Sequence, residues 1–334
     1  MVEVEVAVAR VVERLLPAGA PRASRYLLYG LLALSGAGLL LLIWGLIEPY
    51  LVEWRLVRAP IDHLPARWRG RRVIAFGDVQ VGSFLSNKGA TRRIVARVIE
   101  ERPDLVLLLG DLVYKGAGRA PCHVKEVVGL VAPLAQAGLS VYAVLGNHDY
   151  EVTKRAPNGD GERVAHLVDA LEAAGVHVLE NESVPLALDG GTDGGEGAIR
   201  QDNGQADLYL VGIGCHEAEN DDPIGALSRV PAGAARLVVM HHPDSFAGLP
   251  TRTAPVAVSG HMHGGQVRLP GVPNGFYKRL AKVDEVHLDG WADGYGEPGN
   301  RLYVNRGVGF GWLPLRINAR PEVTVFVLEP APKK

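Results

Sequence analysis

The chain has 334 residues, 47% of them hydrophobic and 22% charged, with a formal net charge of −2. That is enough apolar mass for one large domain or two smaller ones, and the near-neutral balance gives no reason to expect a nucleic-acid partner. Two cysteines, Cys122 and Cys215, match no ribbon or CxxC spacing and read as two separate thiols.

In chain order, the N-terminal segment comes first, residues 1–25. Its Met1 to Leu16 alternates Val with Glu and then turns helical, the pattern of a short interfacial helix or of a frayed terminus. Residues 26–47 follow without one charged side chain. As a helix they reach ~33 Å, against a hydrocarbon layer of ~30 Å. Tyr26 and Tyr29 mark one end of the span, and Trp44, Tyr50 and Trp54 the other, as interfacial aromatics do. A soluble core helix would show a polar stripe. A cleaved leader would have a shorter apolar run and a small-residue cleavage site in place of Glu48-Pro49-Tyr50. The expectation is an uncleaved single-pass membrane anchor. Arginines flank it on both sides (Arg10, Arg14, Arg22 and Arg25; Arg55, Arg58, Arg67, Arg69, Arg71 and Arg72), so loop charge does not set its orientation.

Residues 48–70, with Pro49, Pro60 and Pro65, read as a linker. Its basic end, residues 66–72, suits either a solvated loop or contact with anionic headgroups. From 71 to 330 short apolar runs alternate with helical patterns. Strands are expected at 73–76, 105–109, 141–145, 208–213, 236–240, 255–258, 302–304 and 323–328. Helices are expected at 91–101, 125–137 and 162–174. The order implies an α/β domain (α+β layered) that starts with βαβ units and ends richer in strands, on a mixed sheet. Asp189 to Asp207 holds six glycines and reads as a surface loop at a hairpin tip.

Five polar clusters each follow an expected strand: Gly77-Asp78-Val79-Gln80, Gly110-Asp111, Gly146-Asn147-His148-Asp149, His241-His242-Pro243-Asp244 and Gly260-His261-Met262-His263. Groups at the carboxyl ends of strands gather at one sheet edge, so clusters far apart in sequence can share a site. Carboxylates, an amide and imidazoles without thiolate suit hard or borderline dications such as manganese, iron, zinc or magnesium. His261 and His263, two residues apart, would share one face of a strand. Each cluster alone is common; the ordered set is not.

The set resembles the calcineurin-like metallophosphoesterase family, whose signature runs D-x-H, GD-x-x-D, GNH-D/E, a histidine cluster and GH-x-H. The resemblance covers residues 71–330. The apolar span with its Ile47-Glu48-Pro49 exit, and the GHMHGGQ and RGVGF runs, are similar to the membrane-anchored bacterial branch. It implies a β-sandwich flanked by helices, with a dinuclear site at one edge. One ion would be held by Asp78, Gln80, Asp111 and His263, the other by Asp111, Asn147, His241 and His261, with Asp111 shared. In the family's HxP pattern the first histidine is the ligand, so the resemblance favours His241 over His242. His148 would protonate the leaving oxygen, and Asp149 would orient its ring. Two dications would neutralise phosphoryl charge and activate water, which is the main need of phosphoryl transfer.

Two positions depart from the family. Gln80 stands where D-x-H has histidine, and Tyr114 stands where GD-x-x-D has its second aspartate. An amide is a weaker donor than imidazole, so the first ion would be held less tightly. The leading expectation is a hydrolase of a phosphodiester or pyrophosphate, with a membrane lipid of the UDP-diacylglucosamine type as the substrate the resemblance suggests. The other is a membrane-tethered metal-binding module without turnover. Arg306 reads as a phosphate contact or a structural salt bridge. Phe276, Tyr277, Leu280 and Trp291 read as a packed loop or the wall of an acyl groove.

Overall fold

The computed structural model describes residues 20–83, 87–114, 120–152, 159–188, 199–201, 206–311 and 313–332. Met1 to Leu16 and most of the Asp189–Asp207 loop lie outside them. The chain forms two compact units, Met1–Ile47 and Glu48–Lys334.

The first unit contributes one helix, α1 (Arg22–Ile47), in which only Gly45 is buried. Its leucines face outward around the whole circumference, so it has no polar face to give water and no core to cover. It is long and apolar enough to cross a membrane.

The second unit is built from β1 (Glu53–Ile61), β2 (Arg72–Phe76), α2 (Lys88–Glu101), β3 (Leu105–Leu108), α3 (Ala120–Gln136), β4 (Val141–Ala143), α4 (Gly161–Ala173) and β5 (Val176–Val178). After these come β6 (Glu182–Leu188), β7 (Ile199–Gln201), β8 (Leu208–Gly212), α5 (Pro223–Leu227), β9 (Arg236–Val239), β10 (Ala257–Ser259), α6 (Asn274–Ala281), β11 (Gly290–Ala292), β12 (Leu302–Val304) and β13 (Glu322–Pro330). One sheet has the order β1-β13-β2-β3-β4-β5 and the other β11-β12-β10-β9-β8-β6-β7. Strands β2 to β5 run parallel, as βαβ units require, and β8, β9, β10 and β12 run parallel in the second sheet. Antiparallel strands complete both, including the β6–β7 pair on either side of the glycine-rich loop.

Side-chain alternation explains the layering. In β2, Val73 and Ala75 enter one core while Ile74 and Phe76 enter another; in β3, Leu105 and Leu107 separate from Val106 and Leu108 in the same way. The first set meets Leu210, Leu237, Val239 and Val258 of the second sheet, forming the interior of a sandwich. The second set packs under α2, α3 and α4, through Ile94, Val98, Val127, Leu134 and Leu167. Sheets buried on both faces are covered by helices, as the alternating pattern implied.

The linker reading of residues 48–70 is corrected here. Glu53–Ile61 is a full strand paired in parallel with β13 from Glu53↔Glu322 to Ile61↔Pro330. Val57, Ala59 and Ile61 point into the sandwich, and Pro60 is tolerated because β1 is an edge strand. Trp54 is therefore a strand residue, with the Arg97 guanidinium 4.0 Å over its ring, and not an interfacial marker. The basic run is largely neutralised within the domain: Arg67 pairs with Asp207, Arg71 with Asp104 and Arg72 with Glu101. Cys215 is a free, buried thiol.

Candidate metal centre

The loops after β2, β3, β4, β9 and β10 are laced together by short backbone bonds. Asp78 N donates to Gly110 O (2.8 Å), Gln80 N to Asp111 O (2.9 Å) and Gly260 N to His241 O (3.0 Å). Five of the polar residues themselves occupy the left-handed region: Asp78 (φ 53°), Gln80 (49°), Asp111 (50°), His261 (70°) and His263 (49°). Each costs about 1–2 kcal/mol relative to an ordinary conformation, and such strain collects at functional sites. Gly110 (φ 84°) is needed for a different reason: a Cβ there would lie 2.7 Å from Gly146 N.

The structure brings Asp78, Gln80, Asp111, Asn147, His148, His241, His261 and His263 together. Ligand atoms of Asp78, Asp111 and His241 lie within 4.8 Å of one another. Asp111 is the hub. Its Oδ1 accepts from His148 N at 2.8 Å, and its Oδ2 lies 3.2 Å from Gln80 Nε2 and 3.4 Å from His241 Nε2. Asp78 Oδ2 accepts from His261 N (3.2 Å), which leaves Oδ1 facing His263 Nε2 at 3.4 Å.

The hydrogen-bond partners decide which imidazole nitrogens carry lone pairs. A carbonyl only accepts, so His241 Nδ1 donates to Leu109 O (2.7 Å) and His261 Nε2 donates to Ala281 O (2.8 Å). The free nitrogens, His241 Nε2 and His261 Nδ1, then face each other at 3.4 Å. Two lone pairs so placed need a cation between them, and carbonyl-oriented imidazoles are the usual support of metal ligands. His242 is the opposite case: its Nδ1 accepts from Asp244 N (3.2 Å), so its proton sits on Nε2 and it offers no lone pair there. That geometry separates His241 from His242 on physical grounds. Asp78 Oδ1, Gln80 Oε1 and Asn147 Oδ1 are buried without a hydrogen-bond partner among the described residues, a costly state that bound cations would relieve. The donor set therefore fits a pair of dications.

The electrostatics agree. Burial lifts the Asp78 carboxyl to about 7, with Asp111 adding to the rise and His241 opposing it. Burial also pushes Asp111 up, but His241 and His148 outweigh it and hold Asp111 below the usual carboxylate range. Burial pulls His241 down, yet Asp111 more than reverses this, to about 10. The site thus draws a proton onto a ligand where positive charge is wanted. His261 falls to about 4 through burial and the His241 charge, and His263 falls well below its ordinary value through burial and Arg316, so both remain neutral donors.

Two expected roles are corrected. Asp149 does not orient the His148 ring. Its Oδ1 accepts from Leu112 N (2.9 Å) and Val113 N (3.0 Å) and its Oδ2 from Gly146 N (2.9 Å), so it locks the Asp111 loop to the Asn147 loop. The His148 ring instead stacks on Tyr114, with centroids 4.9 Å apart and planes at 24°. Arg306 is not a phosphate contact. Its Nε meets Glu322 at 2.7 Å and its Nη2 meets Glu53 at 2.8 Å, which satisfies the guanidinium inside the fold.

Arg316 was not singled out in the sequence. It is fully buried and donates to the carbonyls of Gly309 (2.8 Å), Ala319 (2.8 Å), Arg306 (2.9 Å) and His263 (3.3 Å), with Nη2 3.4 Å from His263 Nδ1. It ties the His263 loop to two others. Glu48 supports the same region by accepting from Asn318 N (3.0 Å) and Ala319 N (2.6 Å).

The centre opens into a cleft of about 510 Å³. Gln80, Asp111, Asn147, His148, His261 and His263 line its floor; Leu269, Val272, Phe276, Tyr277, Leu280 and Leu313 line its walls. Trp291 is elsewhere, edge-on to Tyr303 and under Arg301.

Two layered sheets whose strand ends gather acid, amide and imidazole groups define a metal-dependent hydrolase. The calcineurin-like phosphoesterase profile matches residues 71–265. The chain is 32% identical to phosphodiesterase YaeI of Escherichia coli over 70% of this chain and 73% of that one. It is 28% identical to metallophosphoesterase YkuE of Bacillus subtilis, covering 85% and 87%. It is 24% identical to UDP-2,3-diacylglucosamine pyrophosphatase LpxG of Chlamydia trachomatis, covering 83% and 89%. The chain belongs to the calcineurin-like phosphoesterase family and is a hydrolase acting on phosphate esters.

Proposed function

We propose that this enzyme is anchored in a membrane by α1 and hydrolyses a phosphodiester or pyrophosphate bond of a lipid. The apolar-walled cleft, leading directly to Asp111 and His148, carries this reading. A soluble phosphoester has no use for such walls, whereas an acyl chain gains about 0.8 kcal/mol per methylene buried there. The name of the similar LpxG is consistent with a lipid pyrophosphate.

Asp78, Gln80, Asp111 and His263 would hold one dication, and Asp111, Asn147, His241 and His261 the other. Bound dications supply charge neutralisation at the phosphoryl oxygens and activation of water. The chain's own residues do the rest: Asp111 fixes the spacing of the two halves, Arg316 and Asp149 keep the loops in register, and His148 gives a proton to the departing oxygen. The test is hydrolysis by the purified full chain, with manganese, zinc or magnesium, of a lipid pyrophosphate and of bis(p-nitrophenyl) phosphate. Preference for the lipid supports the reading, and turnover of the soluble ester alone refutes the lipid assignment.

Gln80 supports a second reading, a metal-binding module without turnover. Its Nε2 reaches both Asp111 Oδ2 (3.2 Å) and His263 Nε2 (3.0 Å), which lets this half of the site close on itself. We expect wild-type protein to hold one ion firmly and the other loosely, with zinc weakened more than manganese. Gln80→His is expected to tighten the second ion and lower the manganese needed for half-maximal rate. Metal titration decides: two tight ions in the wild type would remove the handicap assigned to Gln80, and two ions at saturation without hydrolysis of any ester would favour the module.

The anchor has its own test. The full chain is expected to stay with membranes in high salt, because screening weakens charge attraction and not apolar insertion. A chain starting at Glu48 is expected to be soluble and folded. The cut belongs before Glu48, since that carboxylate caps the backbone at Asn318 and Ala319. Release of the full chain by salt alone would refute the anchor.

A further inference from the structure

Beyond the exposed residues near the start of the catalytic unit (Tyr50, Leu51 and Leu56), most of its exposed large apolar side chains gather at one place. Among the described residues beyond Leu56, four large ones are exposed: Ile224, Leu269 (39%), Phe276 (53%) and Leu280 (51%). The last three line the same cleft. Phe276 and Leu280 are four apart on α6, so they share one helical face. The adjoining side is anchored: Tyr277, three residues before Leu280, is 4% exposed and its hydroxyl donates to Val267 O (3.1 Å). The helix is thus held by one aromatic residue while two apolar neighbours are presented outward at the cleft mouth.

The same helix carries exposed Lys278 and Arg279 in its last turn and no acidic residue. Lys278 Nζ donates to Asp284 O (2.7 Å), a neutral carbonyl that leaves its charge in place. On either side, Arg268 and Lys282 are already paired with Asp289 and Glu217. Apolar residues backed by basic ones on a short helix are the composition of a segment that lies in a lipid interface. What covers this rim also covers the entrance to the catalytic floor. A folded protein seated there would close the site, whereas a lipid layer would feed it.

We propose that Leu269, Phe276 and Leu280 form a membrane-docking rim that inserts into an anionic lipid surface, with Lys278 and Arg279 against the headgroups. This contact is made by the catalytic unit itself and is additional to α1. It rests on the lipid-substrate reading, and explains how a substrate held in a bilayer reaches a recessed site without leaving its apolar surroundings.

The experiment uses the full chain reconstituted in vesicles. A fluorophore sensitive to its surroundings is attached at Leu280→Cys, with Cys122→Ser and Cys215→Ala in the background, and a second preparation carries it at Leu269→Cys in case the first folds poorly. Vesicles are phosphatidylcholine alone or with phosphatidylglycerol, each with acyl-chain-brominated lipid as a contact quencher. The expected result is a blue-shifted emission quenched by the bromines when phosphatidylglycerol is present. Quenching should drop several-fold in Lys278→Glu/Arg279→Glu. Equal quenching with and without phosphatidylglycerol would overturn the anionic assignment. A probe that stays in water on every vesicle at both positions would overturn the rim. Hydrolysis of bis(p-nitrophenyl) phosphate by the unlabelled wild-type chain, measured alongside, separates that failure from failure of the phosphoesterase reading.

Discussion

Asp111→Asn is expected to lower turnover by about 10³-fold or more, which corresponds to about 4 kcal/mol on the barrier, and to reduce bound metal at both positions. The reason is the geometry of one oxygen. Asp111 Oδ2 sits 3.2 Å from Gln80 Nε2 and 3.4 Å from His241 Nε2, between the two halves of the donor set. Asparagine keeps the shape and can still accept from His148 N, so the loop is not expected to move. What would be lost is the negative charge that two bound cations would share and that faces His241 Nε2 at 3.4 Å. The contrast with Asp78→Asn is informative, since Asp78, 3.4 Å from His263 Nε2, is proposed to hold only one of the two ions and its loss should empty one position. Metal content by elemental analysis, with circular dichroism to show retained fold, checks the claim. Two ions per chain in Asp111→Asn, or a rate within tenfold of wild type, would sink the shared-ligand role.

Much of this was legible in the sequence. Apolar runs ending in glycine and an acid or amide located β2, β3 and β4 to within a residue or two, and the histidine clusters marked the ends of β9 and β10, because buried parallel strands are nearly uniformly apolar. β1 was not legible: Arg55, Arg58 and Pro60 interrupt its alternation, and its partner lies at the far end of the chain. Register with a strand some 270 residues away leaves no local signal. The left-handed conformations of Asp78, Asp111 and His261 were equally hidden, since each follows a glycine, the residue that adopts that region at no steric cost. Side-chain partners were the least readable. Asp149 was assigned to the adjacent His148, but its oxygens find the three N–H groups of Leu112, Val113 and Gly146. Arg316 looked like any loop arginine, and only the folded chain shows the carbonyls that converge on it.

His148→Ala should separate proton transfer from metal binding. The ring lines the cleft floor; its backbone N–H donates to Asp111 Oδ1 at 2.8 Å, while its Nε2, 3.8 Å from Asp111 Oδ2, is beyond hydrogen-bond reach. Removing the ring leaves all the proposed ligands untouched, so metal content is expected to match that of the wild type at the same metal concentration. General acid catalysis is worth about 10²–10⁴ in rate. A loss of that size is expected for alkyl or phosphatidyl leaving groups, whose oxygens need a proton, and a much smaller one for p-nitrophenolate, which leaves unaided. With Asp149 occupied by backbone donors, the ring is steadied by its stack on Tyr114. Tyr114→Ala should therefore give a weaker form of the same leaving-group signature, and Tyr114→Phe, which keeps the stack, should restore most of the rate. Rates plotted against leaving-group pKa for the three variants read this directly. An equal loss for good and poor leaving groups in His148→Ala, or metal content falling as far as in Asp111→Asn, would make His148 a structural or ligating residue and remove it as the acid.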